Sequence, residues 1–388
     1  MASGILGLLE CYYGPPWSIS ERHHVLRTAA ALGYSHYLIG LKDDAFHRDR
    51  WRDPYPPYQL GHHASLVREG QRRGVEVGFA LSPGLDIDYG SVSDVERLIA
   101  KYRQWQAMGS RVFGLYFDDI PEGADPVAFA EGQAAVAGQV ARSLDTADGT
   151  ATLIFCPTGY WGTEATPYLT RLGRLLPTEV QVFWTGPRIV SPTITATDAR
   201  AVAAALRRKP TLWDNYPVND AGMTLELHLG PLRGRSADLC GALDGLWFNV
   251  MEWAHSSLVP LATAARYVQD PGGYDADEAF RQALADLVQP RQLADAVAVL
   301  TGAANRSAIS GPGPDAPPPR AAQDAAGLAR WRESADVILE STHPLADELR
   351  PWAYRLKAAA AAGDNRTTDL AYEVSLFPQQ LSGPAASQ

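Results

Sequence analysis

The chain has little cysteine and no clustered positive charge, and each shortage narrows what it can do. Cysteine occurs only at positions 11, 156 and 240. Three widely separated thiols cannot make a disulfide framework, and an odd, sparse set suits reduced thiols in a cytoplasm. Lys and Arg number 34 against 44 Asp and Glu, a formal net charge of −10. No basic cluster is present to neutralise phosphates, which argues against a nucleic-acid partner. The N-terminal stretch MASGILGLLECYYG lacks a basic leader, and Gly and Glu10 interrupt its apolar run. Neither a signal peptide nor a membrane span is therefore expected, and the expected location is cytoplasmic.

Aromatic residues, by contrast, are plentiful. Ten Trp and sixteen Tyr are many, although aromatic residues are often core. Flat aromatic faces also stack on sugar rings, so the excess mildly favours a carbohydrate ligand.

Eight compact apolar runs punctuate the first two thirds of the chain: GLLECYYG, SHYLIGL, VEVGFALSPG, RVFGLYFDDI, ATLIFCPTGY, VQVFWTGP, PTLWDNYP and GLWFNVMEW. Such runs are expected of strands covered on both faces. Helical segments alternate with them, including SISERHHVLRTAAALG and SDVERLIAKYRQWQAMG. The first opens on candidate serine caps, and both end at a glycine. Eight such units predict an α/β fold, a (β/α)8 TIM barrel. Nearly every run carries polar residues at its C-terminal end: Tyr12 and Tyr13, Lys42 with Asp43 and Asp44, Asp118 with Asp119, Tyr160, Asn215 and Asn249. In a barrel those ends converge on the face that holds the site.

Beyond about residue 270 the composition becomes Ala-rich with helical periodicity. The domain reading is a catalytic barrel over 1–268 and an all-α C-terminal region over 269–380. A Pro/Gly-rich linker falls at 309–320 and a disordered tail at 381–388. The Ala-rich region can pack on the barrel or form a homodimer. The PPP run at 317–319 reads as linker rather than ligand, and His23–His24, consecutive on a helix, diverge too far to share a small ion.

The chemistry centres on Asp118 and Asp119. Two adjacent carboxylates can bind a divalent metal, pair structurally with arginine, or divide acid–base labour in glycoside hydrolysis. Consecutive strand residues point to opposite sides, so both reach one pocket only where the strand ends. The pair is too crowded to act as nucleophile and water-activating base in the ordinary two-carboxylate schemes. Substrate-assisted enzymes are the exception, because no protein carboxylate attacks the sugar. There the 2-acetamido oxygen attacks the anomeric carbon, one Asp orients the acetamido N–H, and the other protonates the leaving oxygen.

Eight stretches, ECYYGPPWS, LKDDAFHRDRWRDPY, ALSPGLDIDY, FDDI, FCPTGYWG, FWTGPRIVS, LWDNYPVND and LGPLRGRS, resemble glycoside hydrolase family 84. That family holds the protein O-GlcNAcases and bacterial β-N-acetylglucosaminidases, some of them called hyaluronidases. The resemblance runs over roughly residues 5–265 in the right order. It implies the same barrel followed by a helical region, and a retaining exo-β-N-acetylglucosaminidase acting on a GlcNAc-containing glycoside or glycoconjugate with no metal or organic cofactor.

By resemblance, Asp118 holds and polarises the acetamido group, and Asp119 is the general acid and then the general base. Tyr160 sits near the acetamido oxygen, Asn215 orients Asp118, and Trp213 walls the acetyl pocket. Asp220 and Asn249 bind the sugar's O4 and O6 hydroxyls, and Lys42 contacts sugar hydroxyls too. Two positions depart from the family pattern. Cys11 stands at a glycine whose backbone carbonyl meets a sugar hydroxyl, so Cys11 keeps the contact while its thiol narrows the pocket. Gly159 replaces a larger residue before the tyrosine, which would open the aglycone side. The competing readings are an inactive or re-tuned glycoside-binding barrel, which would be favoured if an aspartate were replaced, and a metal-dependent hydrolase, which would want more His or carboxylates at the strand ends.

Overall fold

The computed structural model describes residues 4–144, 151–224, 226–304 and 325–362. Both the linker expected at 309–320 and the tail at 381–388 lie outside the described residues. The chain forms two compact units. One runs up to Asn215 and includes Ser236–Asn249; the other holds Tyr216–Arg235 and the described residues from Val250 onward.

In the first unit all eight apolar runs are strands: β1 (Ile5–Glu10), β2 (His36–Ile39), β3 (Glu76–Leu81), β4 (Val112–Tyr116), β5 (Thr152–Cys156), β6 (Gln181–Trp184), β7 (Thr211–Asp214) and β8 (Gly245–Asn249). Each pairs in parallel with the next, and β8 closes on β1 through the register Leu9↔Asn249, so the sheet is a closed barrel. The (β/α)8 expectation holds. Helices α1 (Ile19–Ala31), α2 (Pro57–Arg73), α3 (Val92–Ala107), α4 (Pro126–Leu144), α5 (Pro167–Leu175) and α6 (Ala196–Leu206) link successive strands.

Local chemistry sets the helix ends. At α1 the Ser18 hydroxyl accepts from the Glu21 N–H while Glu21 Oε2 accepts from the Ser18 N–H, a reciprocal cap. The chain then leaves through Gly33, whose φ of 93° lies in the left-handed region open to glycine. The third helix starts just before the SDVER segment. Ser91 is its cap, accepting from the Asp94 N–H at 3.2 Å.

A barrel interior is filled by every second residue of each strand. Here Leu9 and Cys11, Leu38, Ala80, Val112 and Tyr116, Ile154 and Cys156, Trp213 and Trp247 form one buried cluster. At its lower end Trp247 takes the space of an absent side chain: a Cβ on Gly7 would stand 2.1 Å from the indole. The alternation continues past the strand ends. Stepping by two from Leu9 and Cys11 leads to Tyr13; from Leu38, to Lys42; from Tyr116, to Asp118; from Trp213, to Asn215. The layers that fill the barrel thus end in the polar residues of its mouth.

The second unit is built on α7 (Ala254–Gln269), α8 (Ala276–Leu287), α9 (Arg291–Ala304), α10 (Ala325–Glu340) and α11 (Pro344–Ala362), as expected of an all-α region. Glu348 of α11 accepts from the backbone N–H groups of His255 and Ser256 at the start of α7, at 2.9 and 2.7 Å. A carboxylate there satisfies two orphan donors and complements the helix dipole. Trp253 and Trp352 meet edge to face beside it, with centroids 4.1 Å apart. Among the described residues no helix is long and apolar enough to cross a membrane.

Candidate active site

The two aspartates differ in burial and in partners. Asp118 continues the inward phase of β4 and is buried, 5% exposed, whereas Asp119 is exposed at the mouth. Regular pleat would turn Asp119 to the far side. Instead its backbone takes φ 55°, left-handed for a residue other than glycine, which re-aims the side chain. Aspartate tolerates that conformation better than most residues. The backbone leading into the pair is anchored: the Phe117 N–H donates to the Cys156 carbonyl (2.8 Å), and the Thr158 hydroxyl donates to the Phe117 carbonyl (2.8 Å). Thr158 is fixed in turn by Gln133 Nε2 at 2.9 Å and by its own N–H on the Tyr168 hydroxyl at 3.0 Å.

Lys42 follows β2 in the inward phase, is buried, and donates to Asp118 Oδ2 at 2.5 Å. Its ammonium also stands 5.6 Å from the Tyr116 ring centroid. The other oxygen, Asp118 Oδ1, is buried without a hydrogen-bond partner. Burial pushes the Asp118 pKa up, the Lys42 ammonium pulls it back, and Asp119 adds to the rise. Burial opposes the charge on Lys42, but Asp118 and then Asp119 outweigh it and hold the ammonium above its ordinary pKa. One carboxylate oxygen is thus pinned by a buried cation while its twin is left open to a donor.

Asp119 is held by two phenols. Tyr160 donates to Oδ1 at 2.8 Å and Tyr13 to Oδ2 at 2.9 Å. Arg48 completes the clamp, donating to the Tyr13 hydroxyl (2.7 Å) and to the Asp119 main-chain carbonyl (3.0 Å). Sequence reasoning placed Tyr13 among the strand-end residues of the mouth but gave neither it nor Arg48 a role in the site. The signal for Tyr13 was its period-two relation to Leu9 and Cys11. Arg48 sits in an aperiodic loop and was marked only as part of the stretch LKDDAFHRDRWRDPY.

The remaining candidates form an amide cluster beside this pair. Asn249 Oδ1 accepts from the Cys11 N–H (3.2 Å), and Asn249 Nδ2 donates to Asn215 Oδ1 (3.1 Å). That oxygen also accepts from Trp213 Nε1 at 2.9 Å, while Asn215 Nδ2 donates to the Ile189 carbonyl at 2.8 Å. The side chain of Asn215 thus bonds Trp213, Asn249 and Ile189, and the contact on Asp118 comes from Lys42. The Trp213 ring packs against Phe183 and Tyr116, with centroids 5.2 and 5.3 Å apart. Cys11 is buried, with its sulfur 3.9 Å from the Tyr116 hydroxyl, and burial raises its thiol pKa well above the usual range. Asp220 belongs to the second unit, at the start of a short 3-10 turn, Ala221–Met223.

Gly159 serves packing. A Cβ there would lie 3.2 Å from Cδ1 of Tyr168, the residue that holds Thr158. The absence of a side chain lets that ring pack close to the backbone. Of the paired histidines, His23 is half-buried with its Nε2 on Ser65 Oγ at 3.0 Å. His63 is buried and accepts from Trp105 Nε1 at 3.1 Å.

An acid pair of unlike environments at the C-terminal mouth of a closed parallel barrel is an arrangement of the glycoside hydrolases, and known proteins agree with that class. The family model described as beta-N-acetylglucosaminidase matches residues 6–301. The chain belongs to that family, glycoside hydrolase family 84. The protein O-GlcNAcases of Rattus norvegicus and Mus musculus are each 33% identical to it over 257 residues, 63% of this chain and 28% of theirs. The chain therefore spans little more than a quarter of those relatives. A mutant O-GlcNAc hydrolase of Thermobaculum terrenum superposes with a TM-score of 0.84 at 29% identity, covering 95% of this chain and 85% of that one. The CpGH84B structure superposes at 0.83 with 24% identity, over 92% of this chain and 67% of its own, and supports the fold.

Proposed function

We propose that the protein is a retaining exo-β-N-acetylglucosaminidase that removes terminal β-linked GlcNAc by substrate-assisted catalysis. The observation that carries this reading is the unlike treatment of the two oxygens of Asp118. Oδ2 is occupied by Lys42, while Oδ1 is buried and unpartnered. A buried acceptor without a donor is costly, and the acetamido N–H of a bound sugar supplies one.

In the first step the acetamido oxygen attacks the anomeric carbon while Asp118 Oδ1 accepts the N–H and stabilises the positive charge that develops on the amide. Asp119 gives its proton to the glycosidic oxygen, the bond from that oxygen to the anomeric carbon breaks, and an oxazoline-type intermediate remains. In the second step Asp119 takes a proton from water, the hydroxide adds to the anomeric carbon on the face the aglycone left, and the acetamide is restored. Two displacements retain the configuration. Tyr160 and Tyr13 keep the Asp119 carboxyl aimed at the leaving oxygen.

In this reading Lys42, Trp213, Asn215, Asn249 and Asp220 bind the sugar and its acetyl group, and Cys11 contributes its backbone carbonyl. The catalytic domain is assigned to 1–268 and an accessory helical domain to 269–380. The substrate is a GlcNAc conjugate, the class of substrate that the name O-GlcNAcase gives the relatives, and the proposed place of action is the cytoplasm.

The test is turnover of an aryl β-N-acetylglucosaminide beside the matching aryl β-glucoside, which lacks the acetamide. The expected result is hydrolysis of the first, blocked by a thiazoline analogue of the intermediate, and none of the second. Equal hydrolysis of both contradicts the reading.

A further inference from the structure

The segment between β2 and α2, residues 40–56, carries no regular element, yet it supplies much of the support for both aspartates. Lys42 holds Asp118, and Arg48 holds Tyr13 and the Asp119 carbonyl. Asp43 accepts from the Gly14 N–H at 2.8 Å, fixing the turn after Tyr13. Such a loop needs an anchor, and α3 provides one. Lys101, 3% exposed, donates its ammonium to the Phe46 carbonyl at 2.5 Å and to the Trp51 carbonyl at 2.8 Å. The same ammonium lies 4.6 Å from the Tyr55 ring centroid and 5.9 Å from that of Phe46.

This is an expensive anchor. Among the described residues no carboxylate lies within ion-pair distance of Lys101, and Asp44 and Asp53 act on it only from farther away. Burial pulls its pKa down to about 8. A buried ammonium that meets only carbonyls and rings is a net cost to folding, and a methionine of similar length would fill the space without it. Local choices that cost stability concentrate where function needs them.

We propose that Lys101 is a positioning residue: it clamps the 42–52 loop from beneath and thereby sets Lys42 against Asp118 and Arg48 against Asp119. The proposal rests on the roles given above to the two aspartates. It goes beyond them in assigning part of the catalytic geometry to a side chain on α3 that faces the loop rather than the substrate.

Lys101→Met and Lys101→Arg test it. The expected result for Lys101→Met is a melting temperature within a few degrees of the wild type, with kcat reduced about tenfold for a nitrophenyl glycoside and considerably more for a poor leaving group. KM should change little, and Lys101→Arg, which keeps a buried cation and its donors, should recover most of the rate. A merely structural lysine would lower the melting temperature and reduce all substrates in proportion to the folded fraction; that outcome, or wild-type kcat across leaving groups, overturns the clamp. Amide hydrogen exchange in 42–52 supplies a readout independent of turnover. It should quicken about tenfold in Lys101→Met while the barrel strands stay protected, and unchanged exchange overturns the clamp. A wild-type protein that hydrolyses no aryl N-acetylglucosaminide contradicts the proposed function instead, and the exchange measurement still decides the clamp.

Discussion

Asp118→Asn lowers kcat/KM toward aryl β-N-acetylglucosaminides by about 10³–10⁴-fold, equally for good and poor leaving groups. The substitution keeps the size of the side chain and one oxygen, so the pocket is preserved while the negative charge is lost. That charge does two things. It accepts the acetamido N–H and stabilises the cationic ring as it closes, and it balances the buried Lys42 ammonium 2.5 Å away. Leaving one member of a buried ion pair alone costs about 3–5 kcal/mol, so the variant also melts earlier, and its rate must be compared at a temperature where it is folded.

Lys42→Met probes the same pair from the other side. Removing the cation leaves burial and Asp119, both of which push Asp118 up. A higher carboxyl pKa means the ionised form is lost at a higher pH on acidification. The acid limb of kcat/KM therefore moves to higher pH in Lys42→Met than in the wild type. An unmoved limb would separate Lys42 from the ionisation that controls the reaction.

Asp119→Asn gives the second large effect, and its signature is selectivity. For glycosides with poor leaving groups kcat falls by about 10²–10⁴-fold, the usual contribution of a positioned proton donor. For dinitrophenyl glycosides, whose leaving group departs without a proton, the formation of the intermediate is nearly unaffected. Asparagine is preferred to alanine here on structural grounds. Asp119 has φ 55°, and an alanine in the left-handed region adds about 1–2 kcal/mol of strain, which would mix a backbone effect into the kinetics. Tyr13→Phe and Tyr160→Phe each remove one of the two phenols on the carboxylate and follow the same leaving-group trend with smaller losses.

The barrel was legible because burial on both faces writes eight dense apolar runs, nearly all ending in polar residues where the chain meets the mouth. Asp118, Lys42 and Asn215 were legible for a second reason: each continues the two-residue period of its strand. Asp119 breaks that period, and the left-handed turn that brings it back is a backbone choice with no sequence pattern of its own. The loop of residues 40–56 has neither period, so it was legible only as a whole, through the stretch LKDDAFHRDRWRDPY, and not residue by residue. Its contacts with Tyr13 and Lys101 join positions far apart in the chain, so Arg48 and Lys101 carried no mark of their own. Asn215 shows the limit of motif reasoning. Its motif places it beside Asp118, whereas its hydrogen bonds run to Trp213, Asn249 and Ile189.

The most direct test of the acetamido mechanism is a series of aryl β-glycosides whose N-acetyl group carries none, one, two or three fluorines. Fluorine withdraws electrons from the attacking oxygen while leaving the glycosidic bond and the aglycone unchanged. The account predicts that kcat/KM of the wild type falls progressively along the series. A rate independent of the number of fluorines would mean that a group of the protein, and not the substrate, attacks the anomeric carbon.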